Sequence, residues 1–237
     1  MTGAAEQSTA YHDVVALVPA AGHSARFGSR SKPFLQLGDQ TLLRMTVEVV
    51  AGYARRVLVG ANADEMAKAH EEVGDLAEIH PGGALREDTI FGLFERTSEP
   101  IVLIHDPVHP FVRGALLERT INEARTTGAA VAVAPVQLPA ARVCNGVIAG
   151  RLPRDQTYLP RSPQVYKREI LSAARRYATQ HHINDESPWE LLLRMKTPVV
   201  AVPSEETNIK ITTLFDWEMA RKLFAVPSLA LGDAHRQ

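Results

Sequence analysis

The chain has 237 residues, of which 45% are hydrophobic and 22% are charged, and its formal net charge is -1. This balance is typical of a globular protein and excludes the strongly basic footprint of most nucleic-acid-binding proteins. The only cysteine is Cys144, so an intramolecular disulfide and a cysteine-based zinc cluster are excluded. Residues 1–12 lack the pattern of a signal peptide, and no apolar run is long enough to span a bilayer. We therefore expect a cytoplasmic protein without a membrane partner.

Short apolar runs alternate with amphipathic stretches along the chain. The runs are rich in Val and Ile with little polar alternation, which is typical of strands buried on both faces of a parallel sheet. They lie at 14–18, 57–59, 101–104, 129–136 and 199–202. Apolar residues recur at helical spacing in 41–53, 116–124, 170–177 and 215–224. The alternation predicts an α/β fold with a doubly wound, mostly parallel sheet.

One region interrupts this rhythm. Residues 137–164 are dense in Pro, Gly and Arg, and the turn-forming pair Asn145-Gly146 lies between Val143 and Val147. This pattern predicts a small β-hairpin arm that projects from the main domain. We accordingly predict a disordered tail at 1–12, one domain at 13–226 with its arm at 137–160, and a second tail at 227–237.

The first strand leads into a loop of small residues with cations. Residues 14–34 read VVALVPAAGHSARFGSRSKPF, which lacks the Gly-Lys-Ser/Thr ending of a Walker loop. It also lacks the three glycines of a dinucleotide fingerprint. Small residues let a backbone approach a ligand closely, and their N–H groups can cradle phosphate. The pattern therefore predicts an anion-binding loop, with Arg26 and Lys32 as its cations.

Other chemically suitable residues follow the later strands. The block Gly82-Gly83-Ala84-Leu85-Arg86-Glu87-Asp88-Thr89 comes after Ile79, His105-Asp106 follow the run at 101–104, and Lys210 follows the run at 199–202. Ligands of open α/β sheets bind outside the carboxyl ends of the strands, so we expect these residues to meet at one edge. Each feature alone also fits a tight turn, a helix cap or a solvated lysine. The histidines at 181–182 fit an exposed loop, because no third zinc ligand follows at a suitable spacing.

Seven sequence blocks occur in the order and spacing of one enzyme family. They are PAAGHSARFG, KPFLQLGDQTLL, GGALREDTIFGL, VLIHDPVHPFV, RSPQVYKREIL, INDES and TNIKITTLFDWEMA. The chain thereby resembles the 2-C-methyl-D-erythritol 4-phosphate cytidylyltransferases and, less closely, the ribitol-5-phosphate cytidylyltransferases, from about residue 14 to 224. The resemblance implies a nucleotide-diphospho-sugar transferase-like sheet and transfer from CTP to a polyol phosphate. It also implies a requirement for Mg²⁺ or another divalent cation, and a homodimer built through residues 137–160.

The resemblance also implies roles for individual residues. The catalytic cations would be Arg26, Lys32 and Lys210, which would hold the triphosphate and stabilise the reacting phosphorus. The nucleotide would be held by Pro19, Ala20, Ala21, Gly22, Ser24, Gly82, Gly83, Arg86 and Thr89. The acceptor would be held by Asp106, His109, Arg154, Ser162 and Asn184. Asp106 is also the candidate metal ligand.

The departures from the family pattern fall mostly on the acceptor side. On the nucleotide side, Ser24 replaces a glycine. On the acceptor side, His109 stands in place of an arginine, and Ser162 and Asn184 each replace a threonine. Leu138 and Pro139 stand in place of an Asp-Thr pair. Histidine cannot reproduce the bidentate fork with which arginine binds phosphate.

These departures leave three alternatives to the methylerythritol enzyme. The first is a cytidylyltransferase for another acceptor, such as ribitol 5-phosphate. The second is a broader sugar nucleotidyltransferase that uses another nucleoside triphosphate, since the order Lys32-Pro33-Phe34 is shared with such enzymes. The third is a non-catalytic paralogue that binds nucleotide without turnover.

Overall fold

A computed structural model of the protein describes residues 11–22 and 31–226. The strands are β1 (Val14–Pro19), β2 (Gln36–Leu37), β3 (Gln40–Thr41), β4 (Arg56–Ala61), β5 (Glu78–Pro81), β6 (Ile101–Ile104), β7 (Ala129–Pro135), β8 (Ala140–Cys144), β9 (Val147–Leu152), β10 (Tyr158–Lys167) and β11 (Val200–Pro203). The helices are α1 (Leu42–Ala51), α2 (Met66–Val73), α3 (Arg86–Phe94), α4 (Gly114–Thr127), α5 (Arg168–Gln180), α6 (Pro188–Arg194) and α7 (Leu214–Phe224). Short 3-10 turns lie at Lys32–Phe34, Ala63–Glu65, Gly74–Leu76 and Arg154–Gln156.

Seven strands form the central sheet in the order β11-β7-β10-β6-β1-β4-β5. Strand β1 pairs in parallel with β4 and β6, β4 with β5, and β7 with β11, whereas β10 runs antiparallel to β6 and β7. The predicted doubly wound, mostly parallel sheet is therefore confirmed. The chain leaves β1 on one side for β4 and β5, and it returns on the other side at β6. The crevice between the carboxyl ends of β1 and β6 is thus the topological switch point, where such folds bind ligands.

Helices cover both faces of this sheet. Alternate residues of β1 contribute to opposite faces: Val14, Ala16 and Val18 pack in the layer that includes residues of α1, α2 and α4. Val15 and Leu17 pack in the layer that includes residues of α3, α5 and α6. All five side chains are fully buried, and burial of one Val or Leu side chain contributes about 1.5–3 kcal/mol. This burial on both faces explains why the strand shows no polar alternation.

A third apolar cluster supports the segment that carries Lys210. Ile211 is fully buried there with Leu37, Leu42 and Phe111, and residues of α7 pack against them. The backbone N–H of Ile211 also donates to Val108 O at 2.9 Å. The residue next to Lys210 is therefore anchored in the protein body, while Lys210 itself lies at the surface of the crevice.

The arm is the predicted hairpin. Strands β8 and β9 pair antiparallel and are joined by Asn145 and Gly146, with φ angles of 51° and 78°. Positive φ at both central residues is the geometry for which Asn-Gly is favoured in two-residue hairpins. Leu138, Val143 and Ile148 are exposed on the arm, Ile148 to 73%. The arm therefore presents apolar side chains that nothing in the described part of the chain covers.

Three sequence expectations need correction. Residues 158–164, which looked like part of a long loop, belong to β10, whose Tyr166 is fully buried. Helices α2, α3 and α6 are not among the predicted elements, because each is too short to show a helical repeat of apolar residues over several turns. The predicted tail reaches residue 12, but Tyr11 is only 8% exposed and its ring lies 5.2 Å from that of Tyr53. The rest of that tail and the C-terminal tail lie outside the described residues.

Across 11–22 and 31–226, no helix combines the length and hydropathy that a bilayer crossing needs.

Candidate active site

The loop after β1 and the loop after β5 pack against each other at the switch point. A Cβ built on Gly82 would lie 2.1 Å from the Cβ of Ala21 and 3.1 Å from Thr89 Oγ1, so a side chain has no room there. Ala20 and Ala21 are buried, whereas a Cβ on Gly22 would meet no atom of the described residues within 4 Å. The small residues thus allow close packing of the two loops. Ser24 and Arg26 of the predicted anion-binding loop lie outside the described residues.

Side chains of α3 fix the turn that precedes it. Thr89 Oγ1 accepts the N–H of Gly83 at 3.0 Å and donates to Leu85 O at 3.2 Å. Asp88 Oδ2 accepts the N–H of Leu85 at 3.1 Å. The Thr89 hydroxyl is buried and bonded to the backbone on both sides of the turn, so it holds the shape of the predicted nucleotide loop, and its predicted contact with a nucleotide stays a prediction. Arg86 is the first residue of α3 and extends toward β6.

Arg86, Asp106 and Lys210 form a charge cluster beyond the end of β6. Arg86 Nε and Nη2 lie 2.8 Å and 2.7 Å from Asp106 Oδ1, and Lys210 Nζ lies 3.6 Å from Asp106 Oδ2. Burial raises the pKa of the Asp106 carboxyl, but the two cations outweigh burial and hold this pKa below its usual range. Asp106 is therefore ionised near neutral pH. Lys210 remains half exposed, so its ammonium can also contact a bound anion.

Two histidines flank Asp106 and are buried. His105 Nε2 lies 3.2 Å from His109 O, so in this hydrogen bond Nε2 donates and the carbonyl accepts. Burial lowers the pKa of His105 to about 4 and the pKa of His109 to about 3, so both are neutral near pH 7. Neither ring nitrogen of His109 has a hydrogen-bond partner within the described residues. His109 therefore presents a neutral donor and acceptor where the family has an arginine.

Lys32 reaches the segment that carries Lys210. Its ammonium donates to Thr212 O at 3.1 Å, and Ile211 O lies 3.5 Å away. Lys32 begins the short 3-10 turn after the anion-binding loop, with Pro33 at its second position. The structure thus places Lys32 and Lys210, two of the three predicted catalytic cations, in contact with one backbone segment.

A hydrogen-bond network that sequence reasoning missed joins this segment to β10. Asn208 is fully buried, and its Nδ2 donates to Ser162 O at 2.8 Å. Ser162 Oγ in turn accepts the backbone N–H of Asp106 at 3.2 Å, and Arg161 donates from Nη1 to Asn208 O. Asn208 opens the Asn-x-Lys-x-Thr block that also contains Lys210, so that block is the sequence signal for both residues.

Arg154 and Asn184 lie apart from the charge cluster. Arg154 is on the arm, where it lines a cleft of about 550 Å³ with Gln137, Arg151 and Tyr158. Asn184 is exposed in the connection between α5 and α6. Within the part of the chain that the structure describes, neither side chain shares a hydrogen bond or an ion pair with Asp106 or Lys210. Their predicted acceptor contacts stay predictions.

The described residues offer no metal site built from protein ligands alone. No group of three or more His, Cys, Asp and Glu side chains is arranged to hold a metal in residues 11–22 and 31–226. Both carboxylate oxygens of Asp106 face cations. The predicted role of Asp106 as a metal ligand therefore stays a prediction.

The chain is similar to proteins of one enzyme family over nearly its whole length. Residues 14–225 match the family model described as 2-C-methyl-D-erythritol 4-phosphate cytidylyltransferase. The protein of that name from Thermus thermophilus is 34% identical to this chain, and the match covers 90% of this chain and 98% of the relative. The one from Salinibacter ruber is 30% identical, and the match covers 88% of this chain and 91% of the relative.

Solved structures match the fold as well. The crystal structure of the Thermus thermophilus protein of that name superposes with a TM-score of 0.78 at 32% identity, covering 90% of this chain and 99% of the other. A 4-diphosphocytidyl-2C-methyl-D-erythritol synthase from Anaerococcus prevotii gives a TM-score of 0.80 at 20% identity, covering 93% and 99% of the two chains. At that identity, the second match supports the fold alone.

Proposed function

This chain belongs to the 2-C-methyl-D-erythritol 4-phosphate cytidylyltransferase family, and we propose that it transfers a cytidylyl group from CTP to 2-C-methyl-D-erythritol 4-phosphate. The products are the CDP derivative of methylerythritol and diphosphate, which places the reaction in the supply of isoprenoid precursors. The observation that carries this proposal is the Arg86–Asp106–Lys210 cluster beside a tightly packed small-residue loop, at the switch point of the sheet.

The chemistry is an in-line displacement at phosphorus. A phosphate oxygen of the acceptor attacks the α-phosphorus of CTP, a new P–O bond forms, and the bond to the β-phosphate oxygen breaks. Diphosphate leaves with that electron pair. The attacking phosphate is already ionised near neutral pH, so the enzyme needs no general base. Its task is to position the two phosphates and to stabilise the charge that builds up between them.

The nucleotide roles follow from the packed loops. In the proposal, the backbone from Pro19 to Gly22 and the turn at Gly82 and Gly83 hold the nucleotide, and Thr89 and Asp88 keep that turn in shape. Lys32 neutralises the triphosphate, together with Arg26 and the loop that includes Ser24. Lys210 stabilises the charge on the reacting α-phosphate.

The acceptor roles centre on Asp106. Its ionised carboxylate accepts hydrogen bonds from the polyol hydroxyls, while Arg86 keeps it charged and oriented. Ser162, His109, Asn184 and Arg154 complete the acceptor side in the proposal. Because the His109 side chain is buried and neutral, it offers a hydrogen bond to a hydroxyl and no charge to a phosphate. That observation favours one second candidate, a cytidylyltransferase for another polyol phosphate such as ribitol 5-phosphate.

Mg²⁺ or another divalent cation is the proposed cofactor. It would be held by the phosphate oxygens of the nucleotide and would neutralise charge on the leaving diphosphate. We further propose a homodimer joined through residues 137–160, supported by the exposed apolar side chains of the arm. A cytoplasmic location belongs to the same proposal, because both substrates are highly charged and do not cross membranes unaided.

Diphosphate release tests the proposed function. The protein is incubated with Mg²⁺, with each of the four common nucleoside triphosphates, and with methylerythritol phosphate or ribitol 5-phosphate. We expect release only with CTP, and faster with methylerythritol phosphate. Faster release with ribitol 5-phosphate would show that ribitol 5-phosphate is the preferred acceptor. Release with another triphosphate would show that CTP is not the specific nucleotide. CTP binding without release on any acceptor would contradict the assignment as an enzyme.

A further inference from the structure

The segment that carries Lys210 is tied to strand β10 by two side chains. Both Nδ2 hydrogens of Asn208 are used, one by Ser162 O at 2.8 Å and one by Ser204 Oγ at 3.0 Å. Arg161, which precedes Ser162 on β10, donates from Nη1 to Asn208 O. The side chain and the backbone carbonyl of Asn208 are therefore both hydrogen-bonded to residues of β10.

The same network reaches the other side of the acceptor site. Ser162 accepts the N–H of Asp106 through Oγ and the amide of Asn208 through its carbonyl. Lys210 follows Asn208 by two residues, and its Nζ lies 3.6 Å from Asp106 Oδ2. Ser162 and Asn208 thus connect the backbones of the two residues whose charged ends meet in the crevice.

We propose that Asn208 is a positioning residue, which sets the backbone from which Lys210 reaches the reacting phosphate. The Lys210 side chain is 51% exposed and long, so its own packing does not fix where its ammonium lies. A displacement of about 1 Å in such a group can cost about 10²-fold in rate. This inference rests on the proposed cytidylyl transfer and goes beyond it by assigning a role to a residue that contacts no substrate.

Other contacts keep this segment on the protein when Asn208 is changed. Ile211 is fully buried and bonded to Val108 O, and Arg119 donates to Pro203 O at 3.2 Å on the other side of the segment. Loss of the Asn208 amide should therefore shift the backbone at Lys210 without detaching the segment. If Asn208 had a merely structural role, its substitution would lower the stability of the fold and leave the rate of the chemical step unchanged.

Two substitutions separate positioning from packing. Asn208→Ala removes the amide, and Asn208→Asp keeps the size but replaces the donor with a carboxylate oxygen facing Ser162 O. We expect both to lower kcat by about 10²-fold while KM for CTP changes by less than about threefold. Thr120→Ala is the control, because Thr120 is also fully buried and its hydroxyl donates to Leu116 O at 2.7 Å on α4. It should lower Tm and leave kcat unchanged. An unchanged kcat in Asn208→Ala would overturn the inference.

A double-mutant cycle tests whether Asn208 acts through Lys210. The residual rates of Lys210→Ala and of the double variant Lys210→Ala with Asn208→Ala are measured with radiolabelled CTP. If Asn208 only positions Lys210, its substitution should cost less than about threefold once Lys210 is gone. A second loss of about 10²-fold in the Lys210→Ala background would show that Asn208 acts independently, and the inference would be wrong.

Amine labelling separates this inference from the proposed function. Lys210 is acylated with an amine-reactive ester, and the rate is read by peptide mass spectrometry in the unaltered protein and in Asn208→Ala. We expect labelling of Lys210 to rise at least about threefold, because its amine lies 3.6 Å from Asp106 Oδ2 in the unaltered protein and becomes more accessible to the ester when the segment shifts. Exposed Lys222 in the same samples should not change. If the unaltered protein transfers nothing to any acceptor, the proposed function fails. Unchanged labelling of Lys210 would then still overturn the inference on its own.

Discussion

The two sides of the crevice are built differently. On the proposed nucleotide side, Gly82 and Ala21 pack so closely that a Cβ on Gly82 does not fit, and Thr89 and Asp88 bond to backbone groups of the turn. On the proposed acceptor side, Asp106 is buried beside cations, and His109 has two ring nitrogens without a partner in the described residues. The proposed nucleotide side is held in shape by close packing of the backbone. The proposed acceptor side consists of charged and polar side chains, of which His109 has ring nitrogens that can form further hydrogen bonds. We therefore expect that a small change of sequence can alter the acceptor while the proposed nucleotide site keeps its shape.

The largest effect should follow removal of the Lys210 ammonium. Lys210→Ala is expected to lower kcat by about 10²–10³-fold, because loss of one preorganised charge contact to a transition state commonly lowers the rate by that factor. Binding of CTP, measured by titration calorimetry, should persist. Lys222→Ala is the matched control, since Lys222 is exposed on α7 and should leave kcat unchanged. Activity near that of the unaltered protein in Lys210→Ala would contradict the role given to it.

Gly82→Val should damage the nucleotide side selectively. A side chain there meets Ala21 and Thr89, so the two loops must separate. We expect KM for CTP to rise at least about 10-fold and Tm to fall, since overpacking costs about 1–3 kcal/mol. Gly92→Ala serves as control, because a Cβ on Gly92 meets no atom within 4 Å in the part of the chain that the structure describes. If Gly82→Val changes KM for the acceptor and not KM for CTP, the two sides are assigned the wrong way round.

His109→Arg tests the acceptor side alone. An arginine restores the charge of the family pattern, but it enters a buried space beside Arg161 and Lys210, whose charges oppose it. We expect kcat/KM for the acceptor to change by about 10-fold or more, with KM for CTP unchanged within about threefold. Measurement of kcat/KM with methylerythritol phosphate and with ribitol 5-phosphate will show for which acceptor this value rises. Equal changes for CTP and for both acceptors would break the distinction between the two sides.

Acid should destabilise the fold through the two buried histidines beside Asp106. The folded pKa values of His105 and His109 are about 4 and about 3, below the ordinary value of 6.5, because burial disfavours the charged rings. The unfolded chain therefore binds more protons as pH falls below about 6.5, and stability decreases from there toward the folded pKa values. The free energy of unfolding, from urea titrations at pH 7, 6 and 5, should fall by about 1–2 kcal/mol per pH unit. In His109→Gln this slope should be clearly smaller, and an unchanged slope would contradict the burial of a neutral His109.

The sequence predicted the sheet better than the site. The apolar runs at 14–18 and 101–104 are buried on both faces, which is why their pattern identified β1 and β6. Strand β10 was missed because Pro160 and Pro163 interrupt it, and its pairing with β7 shifts between Pro160 and Gln164. Proline normally excludes a central strand, and only the long-range pairing with β6 and β7 overrides that local signal.

The site was predicted in outline and not in its connections. The rule that ligands bind at the carboxyl ends of strands located Asp106 and Lys210 at one edge. No local pattern shows that Asn208 bonds to Ser162, because the two residues are 46 positions apart along the chain. Nor does the sequence show that His109 is neutral, since that depends on burial by residues from several segments.

Isotope transfer tests the central claim most directly. The acceptor, 2-C-methyl-D-erythritol 4-phosphate, is prepared with ¹⁸O in its phosphate and incubated with the protein, unlabelled CTP and Mg²⁺. Mass spectrometry then follows the label in the CDP product and in the released diphosphate. We expect the product to carry ¹⁸O in its diphosphate bridge and the diphosphate released from CTP to be unlabelled. Formation of CMP without a labelled conjugate, or ¹⁸O in the released diphosphate, would contradict attack by the acceptor phosphate on the α-phosphorus.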